Sequence, residues 1–576
     1  MSAEFNLTEM FEKVTLPAQD LAALSFSASN KASSVKAWAE ALPATRITHT
    51  GVLLYKSLPE IPRLETSADN RLAMLEAVRP YVQHCIQGLA RGFLNQPLIL
   101  PEGPMKTAVV AQALQKHMCV GYLSVLKDIA SKSTKTKPHP HLELVCHRAI
   151  VGLGLLLFRS FQLYRQTPEQ LWLELHTCYR VAEEFALLDR LVADQLLEES
   201  DACTTQQAYM RIILLAASRP NQMRQIDVSA TYQALESWAY LAKLVPTDSN
   251  RKNLYVLNLA ADIGPLNKAR FSGSRGDLRE LDLSQLLTAL RTQREAKETD
   301  KELLKIPKTL SVALLDHLEQ AWSTNLQRAF ERQPTNSTIE ASVGLSNIHH
   351  HIINGMSFEE FLGQDEMEEI DFGSFANDPW NSKQNDDAEA DDHPIDLVQV
   401  IDTSPGGYCL EWRKAIPAHV RAGEIIGLRE KGRHRWGVGV IRWVQQQQSS
   451  TRLGIQILAP KATPYAAAIE QPTGEYGDYM RILLLPELKA ANQPATLITA
   501  FAPFQEYNRL ELNSFGEISQ GQLTRRIFSS GSISQFQFRA DKIDAPEPHV
   551  SQEATASESQ QVDASSDDDF SSAWDD

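Results

Sequence analysis

The stretch that decides the fold is Ile401-Asp402-Thr403-Ser404-Pro405-Gly406-Gly407-Tyr408. Apolar residues alternate on both sides of it, over 395–401 before the turn and over 408–412 after it. This pattern predicts a strand, a tight turn and a second strand. Asp402 and Ser404 lie where such a turn presents polar groups to a ligand, and its glycines allow a close backbone approach. We therefore expect a binding site to form around this turn.

The composition indicates a folded protein of several domains. A chain of 576 residues is too long for one hydrophobic core, and 43% of its residues are hydrophobic. The six cysteines follow no regular spacing and form no Cys-x-x-Cys motif, which predicts reduced thiols in a cytoplasmic protein. The longest apolar run, 149–158, is about half as long as a bilayer span requires, so the sequence predicts no membrane span.

The net charge of −16 is concentrated in two segments. Residues 359–392 hold 13 acidic residues and one lysine, and residues 547–576 hold 9 acidic residues with no lysine or arginine. The remainder of the chain is mildly basic. This suits an anionic ligand, but the charge is too weak to predict binding to a nucleic acid polymer.

The hydrophobic periodicity predicts a multidomain α + β fold. Apolar residues recur at spacings of three and four in the first half of the chain, with helices expected over 168–197 and 228–244, among others. Short strands follow one another closely after residue 395, which predicts a small antiparallel barrel. The predicted domains are a mainly helical N-terminal domain (1–300), the barrel with a flexible acidic insert (305–462, insert 355–394), a β-rich C-terminal module (463–540) and a disordered acidic tail (541–576).

The motifs, taken in order, resemble the PilZ family. Arg328-Ala-Phe-Glu-Arg332 supplies an Arg-x-x-x-Arg pair at the end of a helix predicted over 309–331, and the turn supplies Asp-x-Ser-x-x-Gly. Two later segments, 435–443 and 452–458, resemble the closing strands of the PilZ barrel. The arginine spacing alone carries little information, since roughly two occurrences are expected by chance. Its place just before the first barrel strand gives it weight.

The resemblance implies a receptor for cyclic di-GMP, with Arg328, Arg332, Asp402, Ser404 and Gly407 as its ligand-binding residues. The chemistry agrees, because an arginine fork can hold a phosphate or pair with guanine O6 and N7. A carboxylate can accept hydrogen bonds from guanine N1 and N2. By resemblance, the arginine segment wraps over the ligand, so binding would reposition the helical domain. The output would be a population shift, without a reaction.

Two alternatives remain open at this stage. The acidic insert separates the two motifs by more than the strand and turn usual in the family. Asp402 could simply cap backbone N–H groups of its turn, with the arginines paired to acids at a helix end. A PilZ-like scaffold could also act through protein–protein contacts alone, without a ligand.

The remaining expectations concern chemistry and partners. No nucleophile and base are spaced as a catalytic pair, so we expect no enzyme, no catalytic residue and no cofactor. The histidines at 349–351 follow the first predicted strand. Adjacent residues of a strand point to opposite faces, so we expect a loop or a partner-facing run there and no metal site.

The family resemblance also sets an expected role. It implies a bacterial signalling protein that relays the level of cyclic di-GMP to an unidentified protein partner, through the helical domain or the acidic tail. Such receptors commonly control type IV pili, flagella or exopolysaccharide. The narrower expectation is a surface-attachment factor of a pseudomonad-like bacterium, recruited to a membrane complex or cell pole.

Overall fold

The computed structural model describes most of the chain, in two compact units. The described residues are 6–248, 253–271, 276–295, 304–324, 331–363, 393–413, 416–417, 419–447, 450–487 and 493–540. The first unit comprises Met1–Gln327 with Gln445–Gln447, and the second comprises Arg328–Val444 with Gln448–Asp576. The predicted tail, 541–576, lies outside the described residues.

Helices form most of the first unit, as predicted. Side-chain caps mark several of their starts, including Ser67 and the capping box of Thr204 with Gln207. The helices are α1 (Leu7–Glu12), α2 (Ala32–Glu40), α3 (Ile47–Ser57), α4 (Glu60–Arg63), α5 (Ala68–Ala90), α6 (Glu102–Ala130), α7 (Leu142–Gln162), α8 (Leu171–Glu184), α9 (Thr205–Ala217), α10 (Gln225–Trp238), α11 (Ser284–Glu295) and α12 (Val312–Ser323).

Helix α7 is the centre of this unit. It packs against α6, α8 and α9, and residues such as Leu153 and Leu157 are fully buried. Its length and composition would allow it to cross a bilayer, but about two thirds of its apolar stretch is buried inside the protein. Burial among other helices is the ordinary state of a core helix, and it accounts for the apolar composition.

Two small sheets shorten helices that the periodicity predicts to be longer. Helix α8 ends at Glu184 and α10 at Trp238, so the helices expected over 168–197 and 228–244 were too long. The chain after each helix pairs in a sheet, which periodicity alone does not reveal. Strands β1 (Leu191–Ala193) and β2 (Ala202–Thr204) pair antiparallel, and β3 (Lys243–Pro246), β4 (Tyr255–Asn258), β5 (Leu266–Asn267) and β6 (Leu278–Asp282) form a sheet in the order β3-β6-β4-β5.

The middle region is the predicted small antiparallel barrel. Six strands close on themselves in the order β10-β13-β12-β11-β8-β9, and the short β7 is added to β9. Alternating burial along β9 matches the alternation in its sequence. The strands are β7 (Gln333–Pro334), β8 (Thr338–Val343), β9 (Asp396–Ser404), β10 (Gly407–Trp412), β11 (Ile425–Glu430), β12 (Gly437–Gln446) and β13 (Thr451–Ala459).

A second closed barrel follows in the same unit, which confirms the expected β-rich C-terminal region. Its order is β14-β15-β16-β19-β18-β17. Strand β14 is hard to recognise in the sequence, because its three consecutive alanines have low strand propensity. The strands are β14 (Thr463–Ile469), β15 (Met480–Leu485), β16 (Thr496–Ala500), β17 (Arg509–Ser514), β18 (Glu517–Ser529) and β19 (Ile533–Ala540).

Helix α13 (Leu345–Ile352) joins the two barrels, and it contains the histidines at 349–351, which were expected in a loop after the first strand. Its Ile348 is fully buried in an apolar cluster that contains Ile425 of the middle barrel and Leu483 of the C-terminal barrel. The histidines therefore lie on successive helix positions. Among them, His349 is buried and its Nε2–H donates to the Tyr465 carbonyl (3.2 Å).

The first residues of the predicted flexible insert are ordered, so the insert boundary at 355 was wrong. Residues 358–361 form α14 (Phe358–Phe361), and Phe361 is fully buried against Ile353 and Ala466. Exposing a buried aromatic side chain to water costs considerable free energy, so Phe361 holds this segment in place. Residues 364–392 of the predicted insert lie outside the described residues.

Replacing Phe361 tests this assignment. Phe361→Ala leaves a cavity beside the C-terminal barrel and should lower the free energy of unfolding by about 3–5 kcal/mol. Phe501→Ala is the matched control, because Phe501 is 41% exposed and its loss should cost less than about 1 kcal/mol. Urea denaturation monitored by fluorescence measures both. Equal effects of the two substitutions would contradict the assignment.

The buried His349 predicts a pH-dependent stability. Burial, together with Arg481, lowers the pKa of His349 to about 4. The unfolded chain therefore binds a proton at higher pH than the folded chain, so this contribution is complete above about pH 6.5 and is lost as the pH falls towards 4. Between about pH 7.5 and pH 5, the free energy of unfolding should drop by about 1–2 kcal/mol more in wild type than in His349→Gln.

An exposed histidine in the same unit provides the control. His434→Gln should leave the pH dependence of urea denaturation as in wild type, since His434 is exposed. A His349→Gln protein with the full wild-type pH dependence would show that His349 is not the group responsible.

Candidate functional site

Strand β9 brings the two predicted motifs together. Gln333 of β7 pairs with Thr403 of β9, and Pro334 pairs with Asp402. Arg332 directly precedes this pairing, and its Nη1 forms an ion pair with the Asp402 carboxylate. Both side chains are 25% exposed. The insert therefore does not keep the motifs apart, because strand pairing joins residues that are distant in the sequence.

The arginine motif has a different local structure from the one expected. Helix α12 ends at Ser323, and Arg332 lies in the segment that leads into β7, so this arginine does not end a helix. Pro334 indicates this local structure in the sequence, because a proline disfavours a helix at the residue before it and is tolerated at the edge of a sheet. Arg328 lies outside the described residues.

The turn is the predicted hairpin between β9 and β10. Gly407 pairs with Ser404 across it, and the Ser404 hydroxyl donates to the Gly407 carbonyl (3.3 Å). Gly407 has φ +155°, and a Cβ built on it would lie 1.9 Å from the Ile455 carbonyl oxygen. Only glycine fits where a neighbouring strand comes this close. The predicted need for glycine is thus a contact with β13, in addition to any contact with a ligand.

The charged groups near the turn differ in how fully they are paired. On β10, Glu411 accepts from Arg413 (2.6 Å) and lies 3.5 Å from Arg452 on β13. Burial raises the pKa of Glu411, but hydrogen bonds from Arg413 and Ser450 outweigh it, and the net pKa is lowered. This carboxylate is already engaged by two cations. The Asp402 side chain is 25% exposed and that of Glu411 is 7% exposed, so Asp402 is the more accessible of these two acids.

The arrangement offers a guanidinium, a carboxylate and a hydroxyl at one partly exposed edge of the barrel. A ligand with both acceptors and donors, such as a phosphate or purine derivative, can be held by such a set. In the part of the chain that the structure describes, no group of three or more His, Cys, Asp or Glu side chains is placed to hold a metal ion.

The close approach at Gly407 makes a testable prediction. Gly407→Ala should destabilise the middle barrel by about 1–3 kcal/mol, because either β10 or β13 must shift. Gly432→Ala is the control: Gly432 also has a positive φ, +86°, but a Cβ there would have open space around it. Comparing the thermal unfolding of the two variants separates the steric clash of the new Cβ with Ile455 from the cost of the positive φ alone. A Gly407→Ala protein no less stable than Gly432→Ala would contradict the close contact.

Comparison with protein families gives three consecutive matches. Residues 33–248 match the N-terminal domain of the cyclic-di-GMP receptor FimW. Residues 254–395 and 378–464 match the middle PilZ domain of FimW, and residues 465–541 match the FimW C-terminal β-barrel domain. Two of these matches cover the two barrels described above.

A curated relative supports the same assignment over nearly the whole chain. The cyclic-di-GMP receptor FimW of Pseudomonas aeruginosa is 30% identical over 554 residues, which are 89% of this chain and 91% of the relative. No solved structure matches the chain. The order of strands, the paired motifs and these comparisons lead to one conclusion: this chain belongs to the FimW family.

Proposed function

We propose that this chain binds cyclic di-GMP on its middle barrel, through Arg328, Arg332, Asp402, Ser404 and Gly407. The observation that carries the proposal is the pairing of β7 with β9, which brings Arg332 beside Asp402. Its relative in Pseudomonas aeruginosa is named a cyclic-di-GMP receptor, and the matching family model is a PilZ domain.

Each proposed group has a chemical part in binding. The Arg332 guanidinium pairs with a phosphate or with guanine O6 and N7, and Asp402 accepts from guanine N1 and N2. The Ser404 hydroxyl, which donates to a backbone carbonyl, keeps acceptor capacity for a ligand. Gly407 keeps this edge of the barrel free of a side chain. Arg328 is included on the family motif.

The ion pair between Arg332 and Asp402 must open or be shared when the ligand binds. Both groups are partly exposed, and such pairs contribute only about 0–1 kcal/mol. A bidentate contact between arginine and guanine is worth about 1–3 kcal/mol. The gain from the ligand therefore exceeds the loss of the pair, and the pair holds both side chains close to where the ligand needs them.

The proposed role is non-enzymatic signalling. Ligand binding would shift the population of conformations and so change contact with a protein partner, and the relay would serve surface attachment or type IV pili. The support is the receptor name of the relative and the presence of two further domains that match the same family. We place this activity in the cytoplasm, with recruitment to a membrane complex or cell pole.

Isothermal titration calorimetry with cyclic di-GMP tests the binding site. Arg332→Ala and Asp402→Ala should each weaken binding by roughly 5- to 150-fold, since each removes a directional contact to the ligand. Arg509→Ala should bind like wild type, because Arg509 belongs to the C-terminal barrel, is 70% exposed and is close to Glu470. A folded wild-type protein that takes up no ligand at tens of micromolar would remove the proposal.

The same variants test the relay. In cells, Arg332→Ala should impair surface attachment as strongly as deletion of the gene, while Arg509→Ala should not. Normal attachment in cells whose receptor no longer binds ligand would favour a scaffold that acts without cyclic di-GMP.

A further inference from the structure

A cavity of about 440 Å³ lies within the helical unit. Helices α5, α6, α7, α9 and α10 contribute to its wall, together with the chain around Asp194. The volume falls within the range of roughly 300–1,000 Å³ that small-molecule sites occupy. The cavity belongs to a different unit from the ligand site proposed above, so it requires its own explanation.

Arg159 of α7 lines this cavity without an acidic partner. Its Nη1 donates to Gln162 Oε1 (2.8 Å), and its guanidinium carbon lies 5.1 Å from the centre of the Phe93 ring. Among the residues that the structure describes, Arg159 forms no ion pair with a carboxylate. Burial lowers the pKa of Arg159 to about 10, and no acid opposes the shift.

Other arginines of the helical unit are paired with carboxylates. Five of them have side chains at most 14% exposed, and each is held by a carboxylate. The pairs are Arg71 with Asp128, Arg79 and Arg148 with Asp194, Arg180 with Asp277, and Arg211 with Glu236. Arg159 is partly buried and has no such partner, so it is the arginine of this wall that would gain from an anion supplied from outside the chain.

Two acids of the cavity wall, Asp194 and Glu236, are paired with arginines other than Arg159. Asp194 is bound by Arg79 (2.7 Å) and Arg148 (3.2 Å). Glu236 is bound by Arg211 (3.2 Å) and by backbone N–H groups of the preceding loop. The third acid of the wall, Glu198, is exposed and accepts from Gln233 (2.9 Å). Of the two arginines among the described wall residues, Arg159 is therefore the one without an acidic partner.

The rest of the cavity wall is suited to a ligand whose uncharged part carries hydrogen-bonding groups. Buried glutamines face the cavity and bond to neighbouring polar groups: Gln83 donates to Gln115 (2.9 Å), and Gln162 donates to Ser229 (2.7 Å). These bonds hold the amides in place, and each amide can make further contacts. Phe158, which stacks on Tyr232, adds a flat apolar surface.

We propose that this cavity binds a small organic anion, with its carboxylate or phosphate on Arg159 and its body against the glutamines and Phe158. The arginine fork forms two charge-assisted hydrogen bonds with either head group. A body of about the size of a nucleoside would fill the space. The helical domain would then respond to a second small molecule, independently of the middle barrel.

Titration with three probes tests the proposal and distinguishes the two head groups. The probes are guanosine monophosphate, hippurate and inorganic phosphate, added to full-length protein carrying Arg332→Ala and Asp402→Ala so that binding at the middle barrel is weakened. At least one organic probe should bind with a Kd below about 1 mM and about tenfold more tightly than phosphate. Arg159→Met should weaken that binding by about tenfold or more. Tighter binding of guanosine monophosphate identifies a phosphate site, and tighter binding of hippurate a carboxylate site.

The stability of the ligand-free protein gives a second, independent measurement. Arg159→Met removes a cation that lacks a counter-charge, so the Tm should stay the same or rise. Arg211→Met is the matched control, and its Tm should fall because Glu236 loses its partner. The proposal is overturned if neither organic probe binds, if Arg159→Met binds as well as the parent protein, or if Arg159→Met lowers the Tm as much as Arg211→Met.

Discussion

The backbone pairing of one strand, β9, is the constraint on which the proposed ligand site depends. It takes hydrogen bonds from β7, β8 and β10, so the arginine segment and the Asp-x-Ser turn meet on the same strand. The long connection from β8 to β9 does not prevent this, because each doubling of a loop adds only about 0.6 kcal/mol of closure cost. The register also decides which residues meet. A slip by one residue would turn the Asp402 side chain to the other face of the sheet.

Pairing of charges distinguishes the two ligand sites that we propose. In the middle barrel, Arg332 is held by Asp402 at a partly exposed edge, where water screens the interaction and a ligand can replace it. In the helical unit, Arg159 is partly buried in the wall of a cavity, and no described carboxylate neutralises it. The first arrangement orients two groups for a ligand that needs both of them. The second leaves a positive charge that an anionic ligand would neutralise.

Helix α13 makes the two barrels one packing unit. Ile348 contributes to a cluster with residues from both barrels, and His349 donates to a carbonyl of β14. Close-packed interiors transmit small displacements, since there is little empty space to absorb them. A displacement in the middle barrel on ligand binding would therefore also displace residues of the C-terminal barrel. Phe361 also contacts both parts: its ring lies edge-on to His349 of α13, and it packs in a cluster with Ala466 of β14.

The sequence by itself determined the class of fold, the hairpin around 402–407 and the family, because these depend on local alternation, turn residues and motif order. It did not determine the ends of α8 and α10, strand β14 or the helix at 349–351, since these depend on pairing and packing with distant residues. For the proposed site, the sequence suggested Arg332, Asp402, Ser404 and Gly407, together with Arg328, which lies outside the described residues. Only the tertiary structure decided that Arg332 lies beside Asp402 and that Gly407 must be glycine, because both follow from which strands become neighbours.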